Sequence, residues 1–542
     1  MRGGRFLPCI LLVVLTVGAF VPFLDKAFHI DDPLFVWCAK RILVEPLDPY
    51  GFQVTWHIFP QPMAEVMRNP PLGCCFLAAA GGLVGFSERA LHAAFLIPAV
   101  AAVLATYFLA RACGGRPGLS ALLLLASPAY FVSATGVMCD VLMLALGLWA
   151  TVAWIAGLRR GRTGPLLLAA GLLCASVLTK MNGILFLPGL LLFGLLERRR
   201  IGWWAALLLL PVAALGAWLT AVTALYGGSA FDALSLAATG QERPLAAAAA
   251  AVLLAFAGGG AIPALFGAPT AFGRKTCAVL AGAGLTTALI LWFTGALRGI
   301  TLQGVRIDRP LLFVQLAVLC FGGLAVVRLV WPDRGVRRSP VAVMLSCQIA
   351  VTLLFAALSA WTISARYLLT LAPAVAVLLT TAPGVTTGRP GLARRLAPLL
   401  VLLPSAAITG VVALADRDFA DHGREAARTI VREHGDRGAL WFQGHWGFQY
   451  YMEEAGARPF NAKGMPLRRG DLLVIPQHGA NLVPVDGRVF HTLRTLSFSP
   501  TTKIATMVRD VGAGFYASLW GPLPFAFGDV PPEEYYLLGL RR

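Results

Sequence analysis

The sequence predicts a polytopic α-helical membrane protein that ends in a small α/β domain, and three observations carry that prediction. The 542-residue chain is 58% hydrophobic and only 13% charged, with a mean hydropathy of +0.73, too apolar for an ordinary soluble globular domain. Its apolar residues gather into runs of membrane-spanning length. From Asp416 onward the composition changes to a mixed-charge pattern, with 15 Lys or Arg against 14 Asp or Glu, compared with 45 against 27 over the whole chain. The net charge of +18 therefore belongs to the apolar part and its loops, where it reports topology. It does not indicate a nucleic-acid partner.

The first run, 6–24, follows Arg2 and Arg5 and looks like the start of a signal peptide. No small-residue cleavage site is clear and many runs follow, so it reads as an uncleaved first transmembrane helix. The next runs lie near 92–111, 117–135, 140–157, 164–179, 183–196, 203–226, 246–267, 276–297, 311–330, 340–359, 366–384 and 396–415. About 13 transmembrane helices are expected.

Pro70 to Phe86 is also apolar, and charge decides how it is counted. If it does not cross, the loops holding Arg111 and Arg116, Arg159, Arg160 and Arg162, Arg198 to Arg200, Arg274 and Lys275, Arg334, Arg337 and Arg338, and Arg394 and Arg395 all share the side of Arg2 and Arg5. The positive-inside rule makes that side cytoplasmic. Of the 13 acids before Asp416, all but Glu197 and Asp333 then face outward. The segment is accordingly read as an interfacial or re-entrant helix within a first outer loop at about 25–91. The expected domains are 1–415, transmembrane, and 416–542, soluble and extracytoplasmic, in a multi-pass protein of the cell membrane with a cytoplasmic N-terminus.

Within 416–542, Ala439 to Gln443 and Leu472 to Pro476 read as strands between polar, Gly-rich turns. Five of the eight histidines lie there, at spacings that match no metal motif, and all ten cysteines precede it, mostly in apolar runs. No Walker, GxGxxG or HExxH pattern stands in a suitable context.

Chemistry concentrates where apolar runs meet the outer face. Asp31 and Asp32 follow the first run directly, an acid pair with no basic partner beside it, which serves either as a solvated helix cap or as a functional site. Arg68 and Asn69 precede Pro70-Pro71, Asp140 opens one run, Lys180 lies between two short ones, and Arg366-Tyr367 opens another. A carboxylate in such a place can take a proton from a hydroxyl, and cations can hold a phosphate. Asp140 equally fits a helix cap, Lys180 a snorkelling side chain, and Arg366 with Tyr367 an interfacial anchor.

Taken in order, Phe28-His29-Ile30-Asp31-Asp32-Pro33, Asn69-Pro70-Pro71-Leu72, Ser127-Pro128 leading to Asp140, Leu178-Thr179-Lys180 and Ala365-Arg366-Tyr367-Leu368 resemble the family 39 glycosyltransferases. These are membrane enzymes of the GT-C fold, related to protein O-mannosyltransferases and the lipid A aminoarabinose transferase. The resemblance covers about the first 420 residues and lies in the order and common sidedness of the motifs. It implies transfer of a sugar from a polyprenyl-phosphate donor to a lipid, glycan or protein acceptor on the outer side of the membrane. It assigns the base to Asp31, with Asp32 in place of the usual Glu; independently of it, the outer-face groups Lys180, Arg366, Tyr367 and Arg68 are the candidates to hold the donor phosphate. Asn69 stands where a basic residue is usual, and Asp140 and Asn69 take supporting roles.

A phosphate leaving group needs stabilisation but no proton, so one base suffices, and attack opposite the phosphate inverts the anomeric centre. Asp32 can position the acceptor or bind a divalent cation, and the sequence establishes no metal or other cofactor. A transporter or flippase also needs many spans and membrane-embedded charges, but here the charges gather at one face and no inverted repeat is evident. A binding module on a structural anchor would not need so many spans.

Overall fold

Long apolar stretches without internal charge satisfy their backbone groups as helices and leave their outer sides to lipid. The computed structural model describes residues 6–227, 246–294, 307–331, 339–358, 362–381, 392–435, 438–461, 464 and 467–541. Among them eight helices are long and apolar enough to cross a membrane, or ten if two bent pairs each count as one span. The bent pairs, Pro117–Leu125 with Pro128–Ala134 and Ala248–Gly260 with Pro263–Ala271, fall on two of the expected runs. The runs at 6–24, 164–179 and 366–384 are shorter helices, Leu7–Phe23, Thr163–Thr179 and Leu371–Thr381. Length and composition thus give eight to ten spans where the sequence suggests about 13. Val279, Phe293, Leu209 and Leu210 are exposed on the outer helices, an apolar surface suited to acyl chains.

The helices that position the site are α1 (Leu7–Phe20), α2 (Asp32–Val44), α3 (Met63–Val66), α4 (Leu72–Val84), α5 (Glu88–Cys113), α6 (Pro117–Leu125), α7 (Pro128–Ala134), α8 (Asp140–Arg160) and α9 (Thr163–Thr179). Helix α8 shows why charge marks the two ends of the bundle. Asp140 lies in its first turn, Arg159 and Arg160 in its last, and Gly161 closes it in the left-handed conformation, the signs that complement a helix dipole. Its 21 residues separate those charges by roughly 30 Å. Arg159 reaches the Ala112 carbonyl at the end of α5 and lies 3.7 Å from Glu197. Arg111, Arg159 and Glu197 therefore share one end, and Asp140 marks the other. Arg2, Arg5, Asp333, Arg334, Arg337 and Arg338 lie outside the described residues. The apolar segment 70–86 forms α4, which packs on α2.

The last membrane helix continues far beyond its apolar part. Helix α10 (Leu392–His434) has 43 residues, roughly 65 Å of rod, so the domain boundary expected at 415/416 falls inside a continuous helix. Its distal stripe of Ala426, Ala427 and Ile430 packs beneath a five-stranded sheet, against Leu440, Phe442, Leu472, Val474, Tyr535 and Leu537. The sheet strands are β1 (Leu440–Phe442), β2 (Arg458–Pro459), β3 (Leu472–Pro476), β4 (Phe490–Phe498) and β5 (Glu533–Leu540), in the order β2-β1-β3-β5-β4. β1 runs parallel to β2 and β3, and β5 runs antiparallel to β3 and β4. Alternation along the strands turns Trp441, Leu473 and Leu538 to the opposite face. A short helix, α11 (Gly447–Glu454), packs on α10 and on α2.

Between β4 and β5, residues 504–527 lean back onto the membrane helices. The Ala365 amide donates to the Phe515 carbonyl (2.9 Å), and the Ser518 amide donates to the Ile363 carbonyl (2.8 Å). His478 anchors this segment to the sheet, with its ring nitrogens 2.5 Å from Glu533 and 3.3 Å from Asp510. Burial opposes its charge, but hydrogen bonds to Asp510 and Glu533 outweigh burial and hold His478 up at about 9. An imidazolium held above its ordinary 6.5 contributes stability that is complete below pH 6.5 and lost as pH rises through 9. The melting temperature is expected to fall between those values, with a loss on the order of 3 kcal/mol. Glu533→Gln should flatten that dependence in a thermal-melt series.

Candidate active site

The first outer connection runs from the end of α1 through residues 24–31 into α2. Asp31 occupies the N-cap position of α2, yet its side chain makes no capping hydrogen bond. Instead Asp31 Oδ2 accepts from an Arg366 guanidinium nitrogen at 2.9 Å, and the side chain is 31% exposed. Asp32 differs in every respect. It has no exposed surface, one oxygen accepts from the His29 amide (2.8 Å), and the other accepts from the Val137 amide (2.9 Å). Burial pushes its carboxyl up to about 7, against these two amides and nearby Lys26. Asp32 thus ties the loop before α2 to the turn before α8, and Asp31 is the carboxylate of the pair that remains open to a substrate.

A second carboxylate–cation pair lies beside the first. Lys180, at the C-terminal end of α9, donates to Asp140 Oδ1 at 2.5 Å, with both side chains buried. Arg366 lies 3.9 Å from the other Asp140 oxygen, so Asp140 joins the two cations. Lys180 also sits 5.3 Å from the centre of the Tyr367 ring, and Arg366 5.2 Å from that of Tyr516. Asp140 Oδ2 and Arg366 Nε are buried without a hydrogen-bond partner among the described residues, which leaves polar capacity for a ligand. The structure brings Asp31, Asp140, Lys180, Arg366 and Tyr367 together. Arg68 is exposed on the connection before α4, and Asn69 accepts the Tyr50 hydroxyl through its backbone oxygen (2.7 Å). Neither shares a contact with that cluster.

Behind the cluster lies a buried network that sequence reasoning missed. Lys26 donates to Asp416 (2.5 Å) and to the Thr135 hydroxyl (3.1 Å), and Asp416 also accepts from Thr506 (3.1 Å) and Tyr516 (2.9 Å). His29 stands 3.7 Å from Asp416, edge-on to Phe419 and Tyr516. Burial takes its imidazole down to about 3, so the ring is neutral. Lys26 and Asp416 are 390 residues apart, and only their opposite charge at the ends of apolar runs hints at the pairing. Tyr516 lies in the 504–527 segment that leans onto the membrane helices. Among the described residues no group of three or more His, Cys, Asp or Glu side chains is placed to hold a metal ion.

Residues 68–231 match the family model of dolichyl-phosphate-mannose-protein mannosyltransferases. Among solved structures, ArnT from Cupriavidus metallidurans bound to undecaprenyl phosphate matches with a TM-score of 0.51 at 15% identity, over 88% of this chain and 94% of that one. An oligosaccharyltransferase from Archaeoglobus fulgidus, tethered with an acceptor peptide, matches with a TM-score of 0.49 at 13% identity, over 85% of this chain and 64% of that one. No curated protein matches the sequence. The chain is thus a polytopic protein with the fold of the GT-C glycosyltransferases, and over residues 68–231 it is similar to the dolichyl-phosphate-mannose-protein mannosyltransferase family.

Proposed function

We propose that the protein is a membrane glycosyltransferase that moves a sugar from a polyprenyl-phosphate donor to an acceptor on the outer side of the cell membrane, with inversion. The observation that carries this reading is the Asp31–Arg366 and Asp140–Lys180 double pair at one end of the bundle. It sets one accessible carboxylate beside two buried cations. The acceptor hydroxyl attacks C1 of the sugar, its proton passes to Asp31, and the C1–oxygen bond to phosphate breaks with its electron pair going to the phosphate oxygen. Lys180 and Arg366 stabilise the charge that grows there, and Tyr367 supports Lys180 through its ring face. Asp140 orients both cations, and Asp32 holds the loop. Arg68, exposed, and Asn69, bonded through its backbone to Tyr50, stand apart from this cluster and take no part in the step.

The reading places the cluster, residues 416–542 and α4 on the outer side, with the arginine-rich helix ends in the cytoplasm, as the charge pattern requires. The ArnT match, a protein bound to undecaprenyl phosphate, supports a lipid-phosphate donor. Mass spectrometry of envelope lipids, glycans and glycoproteins from cells with and without the chain tests the proposal. One species should lack a single hexose or pentose when the chain is absent, and identical profiles would count against it.

A further inference from the structure

The loop that presents Asp31 is held by the C-terminal part of the chain as well as by the membrane helices. The Ala27 amide donates to Asp421 Oδ1 of α10 (2.9 Å), and the Phe28 amide donates to the Tyr451 hydroxyl of α11 (2.8 Å). Tyr451 in turn donates to Glu88 at the start of α5 (2.9 Å), which also pairs with Arg424 of α10 (3.2 Å). Gly447, the first residue of α11, lies so close that a Cβ there would run into the Phe28 carbonyl oxygen. The Lys26 side chain is fixed by Asp416, and the His29 amide by Asp32.

The next residue shows what this grip maintains. Ile30 is buried and has φ 48°, a left-handed conformation that a β-branched residue avoids. Such a conformation persists only where its surroundings over-determine it. It lies immediately before Asp31 and turns the chain into α2, so it sets the direction in which the Asp31 side chain leaves the backbone. Two consecutive amides before it are held by side chains from α10 and α11. Packing alone needs no hydrogen bonds to loop amides and no glycine at the contact.

We infer that the C-terminal sheet region is part of the catalytic apparatus: Tyr451, Asp421 and Gly447 are positioning residues that hold residues 26–31 in the strained conformation that aims Asp31 at the acceptor. The inference rests on the assignment of Asp31 as base. It gives Tyr451 and Gly447 a role in the chemical step: they touch the 26–31 loop, whereas Asp140 stands on α8, Lys180 at the end of α9, and the Arg366 segment is held by residues 515–518.

The test uses the full chain in lipid nanodiscs, as wild type, Tyr451→Phe and Gly447→Ala. Hydrogen–deuterium exchange reads the loop directly, and steady-state kinetics with a panel of polyprenyl-phosphate sugars read its effect on transfer. In Tyr451→Phe, exchange in peptides spanning 24–31 should rise while peptides of α8 stay unchanged. kcat should fall about tenfold with donor KM within about twofold, and Gly447→Ala should show the same split more strongly. Unchanged exchange in Tyr451→Phe, or raised exchange with unaltered kcat, overturns the inference while leaving the transferase reading in place. A wild-type protein that transfers from no donor in the panel removes the transferase reading, and the positioning role with it.

Discussion

Asp31→Asn is expected to lower sugar transfer about 10³-fold, the scale of a lost general base, while the protein stays folded. The substitution keeps size and an oxygen that can still accept from Arg366. The fold should tolerate the lost charge, since Asp31 makes no capping bond and is partly exposed, and Arg366 keeps a neutral acceptor beside it with Asp140 at 3.9 Å. The neighbouring acid behaves differently. Asp32→Asn would point an amide N–H at a backbone N–H from either His29 or Val137, so its loss of activity would come with a loss of stability. Transfer rates and thermal melts of both variants separate the two roles. A fully active Asp31→Asn protein would remove the base from this account.

The second large effect is at Arg366. Arg366→Ala is expected to lower kcat about 10²- to 10³-fold, as for other groups that stabilise developing charge, and to weaken competition by undecaprenyl phosphate. Its carboxylate partners survive the change: Asp31 has solvent, and Asp140 keeps Lys180. The same cannot be said of Lys180→Ala, which leaves the buried Asp140 with Arg366, at 3.9 Å, as its one cation among the described residues and so risks unfolding. Arg366→Lys keeps the charge but loses the planar fork, and should recover only part of the rate. Unaltered inhibition by undecaprenyl phosphate in Arg366→Ala would place the phosphate elsewhere.

Much of this arrangement was legible in the chain because it follows from local rules. Hydropathy marks each apolar run, and β3 coincides with the strand read from Leu472 to Pro476. Charge sign at run ends marks which helix ends lie together, and the Arg159–Glu197 contact is of that kind. Asp31, Asp140, Lys180, Arg366 and Tyr367 stand out because a charge or polar ring at the edge of an apolar run needs a reason. The count of spans is less legible, because short and bent helices such as Thr163–Thr179 and the 117–134 pair satisfy composition without satisfying length. Long-range pairings were scarcely legible. Lys26 finds Asp416, and Phe28 finds Tyr451, across some four hundred residues, and no periodicity in one sequence encodes such partners. Asp416 in particular looks like the first residue of a soluble domain, whereas it lies fully buried in a helix that runs on without a break.

The most direct test of the central claim follows the lipid carrier itself. Wild-type and Asp31→Asn proteins in proteoliposomes, given polyprenyl-phosphate sugars and envelope acceptors, are assayed together for released polyprenyl phosphate, glycosylated product and movement of intact donor across the bilayer. The account predicts that wild type releases polyprenyl phosphate in step with product of inverted anomeric configuration, and that Asp31→Asn releases none. Movement of intact donor across the bilayer with no released phosphate and no product would contradict it and would identify the bundle as a transporter.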